Sequence, residues 1–171
     1  MDKAQALKQL FLEEVNRRLF DENFPRLKQC LGELSEEEIW YKPNISSNSV
    51  GNLVLHLQGN VRQWVIVGLG GAEDSRQRQK EFDTEGPIAT NQLLSDLELL
   101  IKEVRHVLNK VAVTDLLEVR EVQCYQESGL SILVHVVEHF SYHVGQISYI
   151  VKMLKNKQLG YYEGHDLEAK Q

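Results

Sequence analysis

Apolar residues recur with a helical period in four long segments of the chain. In the first, at about 4–20, the apolar side chains form one stripe with charged residues opposite, as in an amphipathic helix. The others run from about 50 to 69, from about 90 to 111 and from about 130 to 155. Four such helices in one chain predict an all-α fold, a four-helix bundle.

Short signals predict where these helices begin and end. A serine or asparagine within 47–49 can cap the second helix, and the GLGG run stops it. Thr90 or Asn91 can cap the third. Ser35, followed three residues later by Glu38, forms a capping box and predicts a short extra helical turn between the first and second helices.

The segments between the helices carry weaker signals. GGAEDSRQRQKEFDTEGP, at 70–87, is a charged loop that is either exposed or functional. TDLLEVREVQCYQESG, at 114–129, has some alternation and could be extended. The last residues, 160–171, are polar and predict a loosely ordered tail of a single domain that spans 1–171.

Composition excludes several classes of protein. With 42% apolar and 26% charged residues, the chain is typical of soluble globular proteins. The net charge of −6 and the lack of a basic run argue against a nucleic-acid partner. The sequence has neither an apolar run long enough for a membrane span nor a signal peptide. Cys30 and Cys124 are far apart and predict no disulfide framework, so we expect a cytoplasmic protein.

The fourth helix carries a histidine at every fourth position: His135, His139 and His143. At a rise of 1.5 Å per residue the outer two lie about 12 Å apart along the axis, so one ion cannot bind all three. An adjacent pair can share an ion, and His56 in the apolar second helix is a candidate third ligand. Three imidazoles leave coordination positions open, which is typical of a catalytic metal site.

Other interpretations of these polar residues remain open. The histidines could instead form a buried hydrogen-bond network without a metal, since a core histidine is more often hydrogen-bonded than ligating. Arg62, Arg76 and Arg78 could receive an anionic substrate or be solvated.

Three residues near the histidines have possible supporting roles. Asn60 could orient a ligand or water, or it could make an interhelical hydrogen bond. Gln146 could donate or accept a hydrogen bond across the bundle, or lie half-exposed. Gly145 would permit close helix packing near the site.

The stretch HLQGNVRQWVIVGLGG, followed by HVVEHFSYHVGQISYI, resembles the DinB-like (YfiT-like) superfamily of metal-dependent four-helix bundles. The RQRQKEF segment, Arg76 to Phe82, resembles the loop of an uncharacterised branch of that superfamily. The resemblance covers nearly the whole chain. It implies a divalent metal ion, zinc or nickel, on His56, His139 and His143, with His135 lining the pocket or supporting a ligand.

The resemblance also implies a function. Characterised relatives include thiol-S-transferases that use thiols such as bacillithiol, mycothiol or glutathione. This implies a metal-dependent transferase or hydrolase, with a low-molecular-weight thiol and a small electrophile as partners, working as a homodimer. A metal with an open position can activate a bound thiol or water. The alternative is a non-catalytic, stress-related bundle with a structural or vestigial metal site.

Overall fold

A computed structural model describes residues 2–169. The first long helix consists of α1 (Lys3–Asn16), a π-helical segment (Arg17–Asn23) and α2 (Phe24–Glu33). Pro25 has no N–H to donate to the preceding turn, and the wider π-helical turns come directly before it. The helix therefore continues past the predicted end near residue 20.

The second long helix begins at an N-cap within the predicted range. It consists of α4 (Val50–Val61) and a second π-helical segment (Arg62–Leu69), and the N–H of Asn52 donates to Ser49 Oγ at 3.1 Å. Before it lies α3 (Glu36–Trp40), the predicted extra helical turn. Its capping box is present, because the backbone N–H groups of Ser35 and Glu38 each donate to the other residue's side chain.

The remaining elements follow the second long helix. They are α5 (Arg78–Asp83), α6 (Thr90–Leu108), α7 (Val113–Leu117), strands β1 (Val119–Val122) and β2 (Tyr125–Ser128), and α8 (Gly129–Lys155). The two strands form an antiparallel hairpin that pairs Val119 with Ser128, where the sequence alternation indicated extended chain. The predicted cap of the third helix is wrong: the cap is Ala89, without a side-chain hydrogen bond, and Thr90 lies inside α6.

The four long helices pack around one hydrophobic core, which confirms the predicted all-α bundle. Large fully buried side chains come from every long helix and include Leu19, Leu57, Leu97 and Ile132. Burying each such side chain contributes about 1.5–3 kcal/mol. The predicted stripe of α1 is wrong at its start, where Leu7 is 68% and Leu10 65% exposed. α1 packs against α7 and α8, and the high exposure of both leucines shows that they take no part in the core.

The C-terminal segment is described as far as residue 169, while Met1 and the last two tail residues lie outside the described residues. Leu159 is buried, and Tyr161 Oη lies 2.7 Å from Ser148 Oγ and 3.1 Å from Cys30 Sγ. The start of the predicted tail is thus packed on α2 and α8. Among the described helices, none combines the length and apolar character that crossing a membrane requires.

Candidate metal centre

Three histidines meet where α4 packs against α8. Each of His56, His139 and His143 offers a ring nitrogen, and these three nitrogens all lie within 4.8 Å of one another. His56 Nε2 lies 3.1 Å from His139 Nε2. The structure therefore brings together the three residues that the sequence nominated as ligands, although they come from helices more than eighty positions apart in the chain.

The spacing of these nitrogens suits one divalent ion. Zinc–nitrogen bonds of about 2.0–2.1 Å place neighbouring tetrahedral ligands about 3.3 Å apart. The observed 3.1 Å between His56 Nε2 and His139 Nε2 is close to that value. The donor set, three imidazoles, is one that zinc and nickel both accept. The residues present thus fit a metal ion.

A carboxylate of the charged loop determines which nitrogen of His56 carries the proton. Glu81 Oε2 lies 2.8 Å from His56 Nδ1. Burial raises the pKa of Glu81, but hydrogen bonds from Arg76 and His56 outweigh it and leave that pKa below its ordinary value. An ionised carboxylate can only accept. Arg76 Nη2 also lies 3.2 Å from His56 Nδ1, but the contact with Glu81 is shorter and assigns the proton to Nδ1. This leaves the lone pair of Nε2 facing His139, as a ligand requires.

Arg76 holds this carboxylate in place. Its Nε and Nη2 donate to the two oxygens of Glu81 at 2.7 and 2.9 Å. Both side chains are buried, with 6% of Arg76 and 11% of Glu81 exposed. A bidentate, charge-assisted pair of this kind is strong and directional. Because the charges of Arg76 and Glu81 are opposite, the pair has no net formal charge.

Polar contacts from three elements support the Arg76–Glu81 pair. Arg76 Nη1 donates to Gln63 Oε1 at 2.8 Å, and Gln63 Nε2 donates to Asp74 Oδ2 at 2.7 Å. On the other side, Asn52 Nδ2 donates to the backbone carbonyl of Glu81 at 2.9 Å. Asn52 lies one turn before His56 on α4, so the same helix presents the histidine and anchors the loop that orients it.

Gly59 allows the carboxylate to reach α4. A Cβ at this position would lie 2.0 Å from Glu81 Oε1 and 2.9 Å from Arg76 Nε. Real carbon–oxygen contacts are never that short, and both side chains are held by the hydrogen bonds just described. Any larger residue would push Glu81 away from His56. A close backbone approach of this kind is one of the uses of glycine in a helix.

His139 and His143 are held as neutral rings. His143 Nδ1 donates to Gln146 Oε1 at 2.7 Å, which leaves its Nε2 lone pair available. Burial, together with the neighbouring His143 and His56, lowers the pKa of His139 to about 3. Burial likewise lowers the pKa of His143. Within residues 2–169, buried His139 Nδ1 has no hydrogen-bond partner.

His135 is directed to different partners. Its ring stacks on Trp64 with centroids 3.7 Å apart, and Asn60 Nδ2 donates to its Nε2 at 3.3 Å. Asn60 therefore makes the interhelical hydrogen bond that was one of its two predicted roles. His135 does not belong to the group of histidines whose ring nitrogens lie within 4.8 Å of one another. This agrees with the prediction that one ion cannot bind all three histidines of α8.

Gln146 follows the second of its two predicted alternatives, because it is half-buried and bonds His143 on its own helix instead of a residue across the bundle. The predicted role of Gly145 is wrong. Gly145 is exposed, and a Cβ there would meet nothing within 4 Å, so it does not permit close packing.

Glu81, Gly59 and Asn52 contribute to the site although the sequence patterns did not predict it. A signal existed, since RQRQKEF combines acidic and basic residues in a loop predicted to be exposed or functional. Nothing in that loop indicates which carboxylate contacts which histidine, because the contact depends on how the loop folds back on α4.

Solved structures of other proteins share this fold. A conserved protein from Enterococcus faecalis superimposes with a TM-score of 0.67 at 16% identity, covering 87% of this chain and 97% of its own. A DinB-like protein from Bacillus subtilis, YjoA, gives 0.65 at 16% identity, covering 85% and 94%. A DinB-like protein from Bacillus cereus gives 0.63 at 14%, covering 85% and 91%.

The fold is therefore that of the DinB-like helical bundles, as the sequence resemblance predicted. Residues 7–162 match the model of the family described as "Protein of unknown function (DUF1572)", and the chain belongs to that family. A comparison with curated protein sequences gives no match.

Proposed function

We propose that this protein binds a divalent metal ion, zinc or nickel, through His56, His139 and His143, and uses it as an enzyme of the thiol-transferase or hydrolase type. The observation that carries the proposal is the convergence of the three ring nitrogens within 4.8 Å. Hydrogen bonds to Glu81 and Gln146 support it, because each leaves the inward nitrogen of a histidine free to ligate.

The chain's own residues have clear tasks in such a site. Glu81 holds the His56 ring in one tautomer, and Gln146 does the same for His143. When bound, a divalent ion with open positions lowers the pKa of a thiol or a water that it holds. We propose a low-molecular-weight thiol and a small electrophile as the substrates of the transferase form. The cavity beside the histidines, about 860 Å³, has room for small organic substrates.

Metal stoichiometry tests the proposal. Protein purified without an affinity tag and supplied with zinc or nickel should retain about one equivalent after gel filtration, since a three-histidine site binds tightly. His139→Asn should lose that equivalent. The matched control is His106→Asn, which removes an exposed histidine of α6 and should leave the stoichiometry unchanged. Less than about a tenth of an equivalent in the wild type would refute metal binding.

A rate measurement then separates an enzyme from a non-catalytic bundle. Metal-loaded wild type should conjugate bacillithiol or glutathione to an electrophile such as a chlorodinitrobenzene faster than His56→Asn does. Equal rates in the two proteins would exclude the transferase function. The same comparison with an activated ester tests the hydrolase, and equal rates in both assays would favour the non-catalytic bundle.

A further inference from the structure

The cavity beside the histidines has an unusual distribution of charge. All three clustered histidines line it, together with apolar and aromatic side chains: Leu53, Phe82, Tyr142, Tyr149 and Ile150. Ser46, Ser47, Asn48 and Gln146 add polar groups to its lining. Apart from histidine, Arg78 is the one ionisable lysine, arginine, aspartate or glutamate among the described residues that line it. The cavity therefore combines apolar and aromatic side chains with polar groups, and apart from the histidines it carries a single positive charge.

The guanidinium group of Arg78 is available to a ligand. It lies over the ring of Phe82, 4.9 Å from the ring centre, and that ring in turn lies 4.8 Å from the His56 ring. Within residues 2–169, Arg78 makes no side-chain hydrogen bond or ion pair, although it is the first residue of a helix rich in polar neighbours. Stacking on an aromatic ring leaves the edge of a guanidinium group, with its N–H donors, facing outward.

The other two arginines of the sequence prediction are already engaged. Arg62 Nη2 donates to Glu103 at 2.7 Å on the protein surface. Arg76 is buried against Glu81 and cannot serve an external anion without leaving that carboxylate unpaired. Of the three candidates, Arg78 is thus the one that can receive an anionic substrate.

The charge of this site favours a carboxylate over a phosphate. A single guanidinium group matches the one negative charge and the planar fork of a carboxylate. A phosphate monoester carries about two charges at neutral pH and would need a second free cation. Leu53, Phe82 and Ile150 favour a ligand whose body is apolar or aromatic, because polar groups buried against them would lose hydrogen bonds to water.

We infer that the cavity binds an organic monocarboxylate with an apolar or aromatic body, whose carboxylate pairs with Arg78 while the body lies against Phe82 and Tyr149. The inference names the substrate class of the proposed metal enzyme and rests on that function for its catalytic meaning. Binding itself rests on Arg78 and the cavity, which are present with or without a metal ion.

The test uses phenylacetate as the probe and chelator-treated protein, because a metal ion would bind a carboxylate by itself. Chemical-shift titration of the full chain should show saturable binding in the millimolar range. Arg78→Gln should weaken it at least about tenfold, and phenylacetamide should bind at least about tenfold more weakly than phenylacetate. The control is Lys80→Gln, which removes the same charge from the same helix but lines a different cavity, and should leave binding within about twofold.

Three results would overturn the inference: no saturation up to about 20 mM phenylacetate, equal binding by Arg78→Gln and the wild type, or tighter binding of phenylphosphonate than of phenylacetate. Metal stoichiometry is measured on the same proteins. Normal metal binding with no Arg78-dependent carboxylate binding would refute this inference alone. Arg78-dependent carboxylate binding without metal binding would refute the proposed metal function but would support the inferred carboxylate site.

Discussion

Glu81 Oε2 lies 2.8 Å from His56 Nδ1 and thereby decides which nitrogen of His56 can ligate. The residues are 25 positions apart, one on a short helix of the charged loop and the other in the bundle. The carboxylate lies behind the ring, on the side away from His139. It can therefore orient the ring without occupying a ligand position.

Replacing this carboxylate should weaken metal binding without abolishing it. We expect Glu81→Gln to lower zinc affinity about 10- to 100-fold, since a neutral amide holds the His56 tautomer less strongly. Competition with a chromophoric chelator measures the change. Glu85→Gln is the control, because Glu85 is an exposed carboxylate of the same loop. Equal losses in both variants would show a general charge effect rather than the contact with His56.

The close approach of Glu81 to Gly59 should affect zinc affinity as strongly as the Glu81 carboxylate does. Gly59→Ala removes no polar group, but its Cβ would lie 2.0 Å from Glu81 Oε1. We expect it to displace Glu81 and to lower zinc affinity at least about tenfold, although alanine is the better helix former. Gly145→Ala is the matched control, since its Cβ meets open space. It should leave affinity unchanged and raise stability by about 0.5–1 kcal/mol, measured by urea unfolding.

If both glycine variants bind zinc like the wild type, Glu81 can relax around the added methyl group, and its position does not depend on Gly59.

His135 and His143, the first and last of the three histidines on α8, should differ in how much they contribute to zinc affinity. His143→Asn should lower zinc affinity at least about 100-fold by removing a ligand. His135→Asn should lower it less than about tenfold, because His135 is stacked on Trp64 and accepts a hydrogen bond from Asn60. Isothermal titration of each variant measures both effects. A larger loss in His135→Asn than in His143→Asn would show that the ligating pair is His135 and His139.

Tyr161 should make the stability of the protein depend on alkaline pH. Burial, together with its contact with Cys30, raises the pKa of this phenol above its ordinary value. A phenol with a raised pKa in the folded state stabilises the fold fully below its unfolded pKa of about 10, and this contribution is lost as pH rises further. We expect the urea midpoint of the wild type to fall more steeply above about pH 10 than that of Tyr161→Phe.

Tyr162→Phe provides the comparison, since Tyr162 is 56% exposed. Parallel pH profiles for the wild type and both variants would mean that the Tyr161 phenol titrates normally in the folded protein.

Local sequence patterns determined the helices and the relative places of residues on them. Apolar periodicity predicted the four long helices, and Ser35 with Glu38 predicted the extra turn, because these signals act within three or four residues. The same local geometry excluded a single ion on all three histidines of α8. The choice of His139 and His143 over the other adjacent pair came from the resemblance to the DinB-like bundles.

Only the tertiary structure decided how the loop meets the bundle. Arg76 and Arg78 lie two residues apart in one charged segment, yet one is buried against Glu81 and the other faces the cavity. Their difference depends on the path of the loop over α4, on the missing side chain of Gly59 and on the anchor at Asn52. These contacts join residues that are far apart in the chain, so no periodic pattern in the sequence predicts them. They form only once the helices have packed.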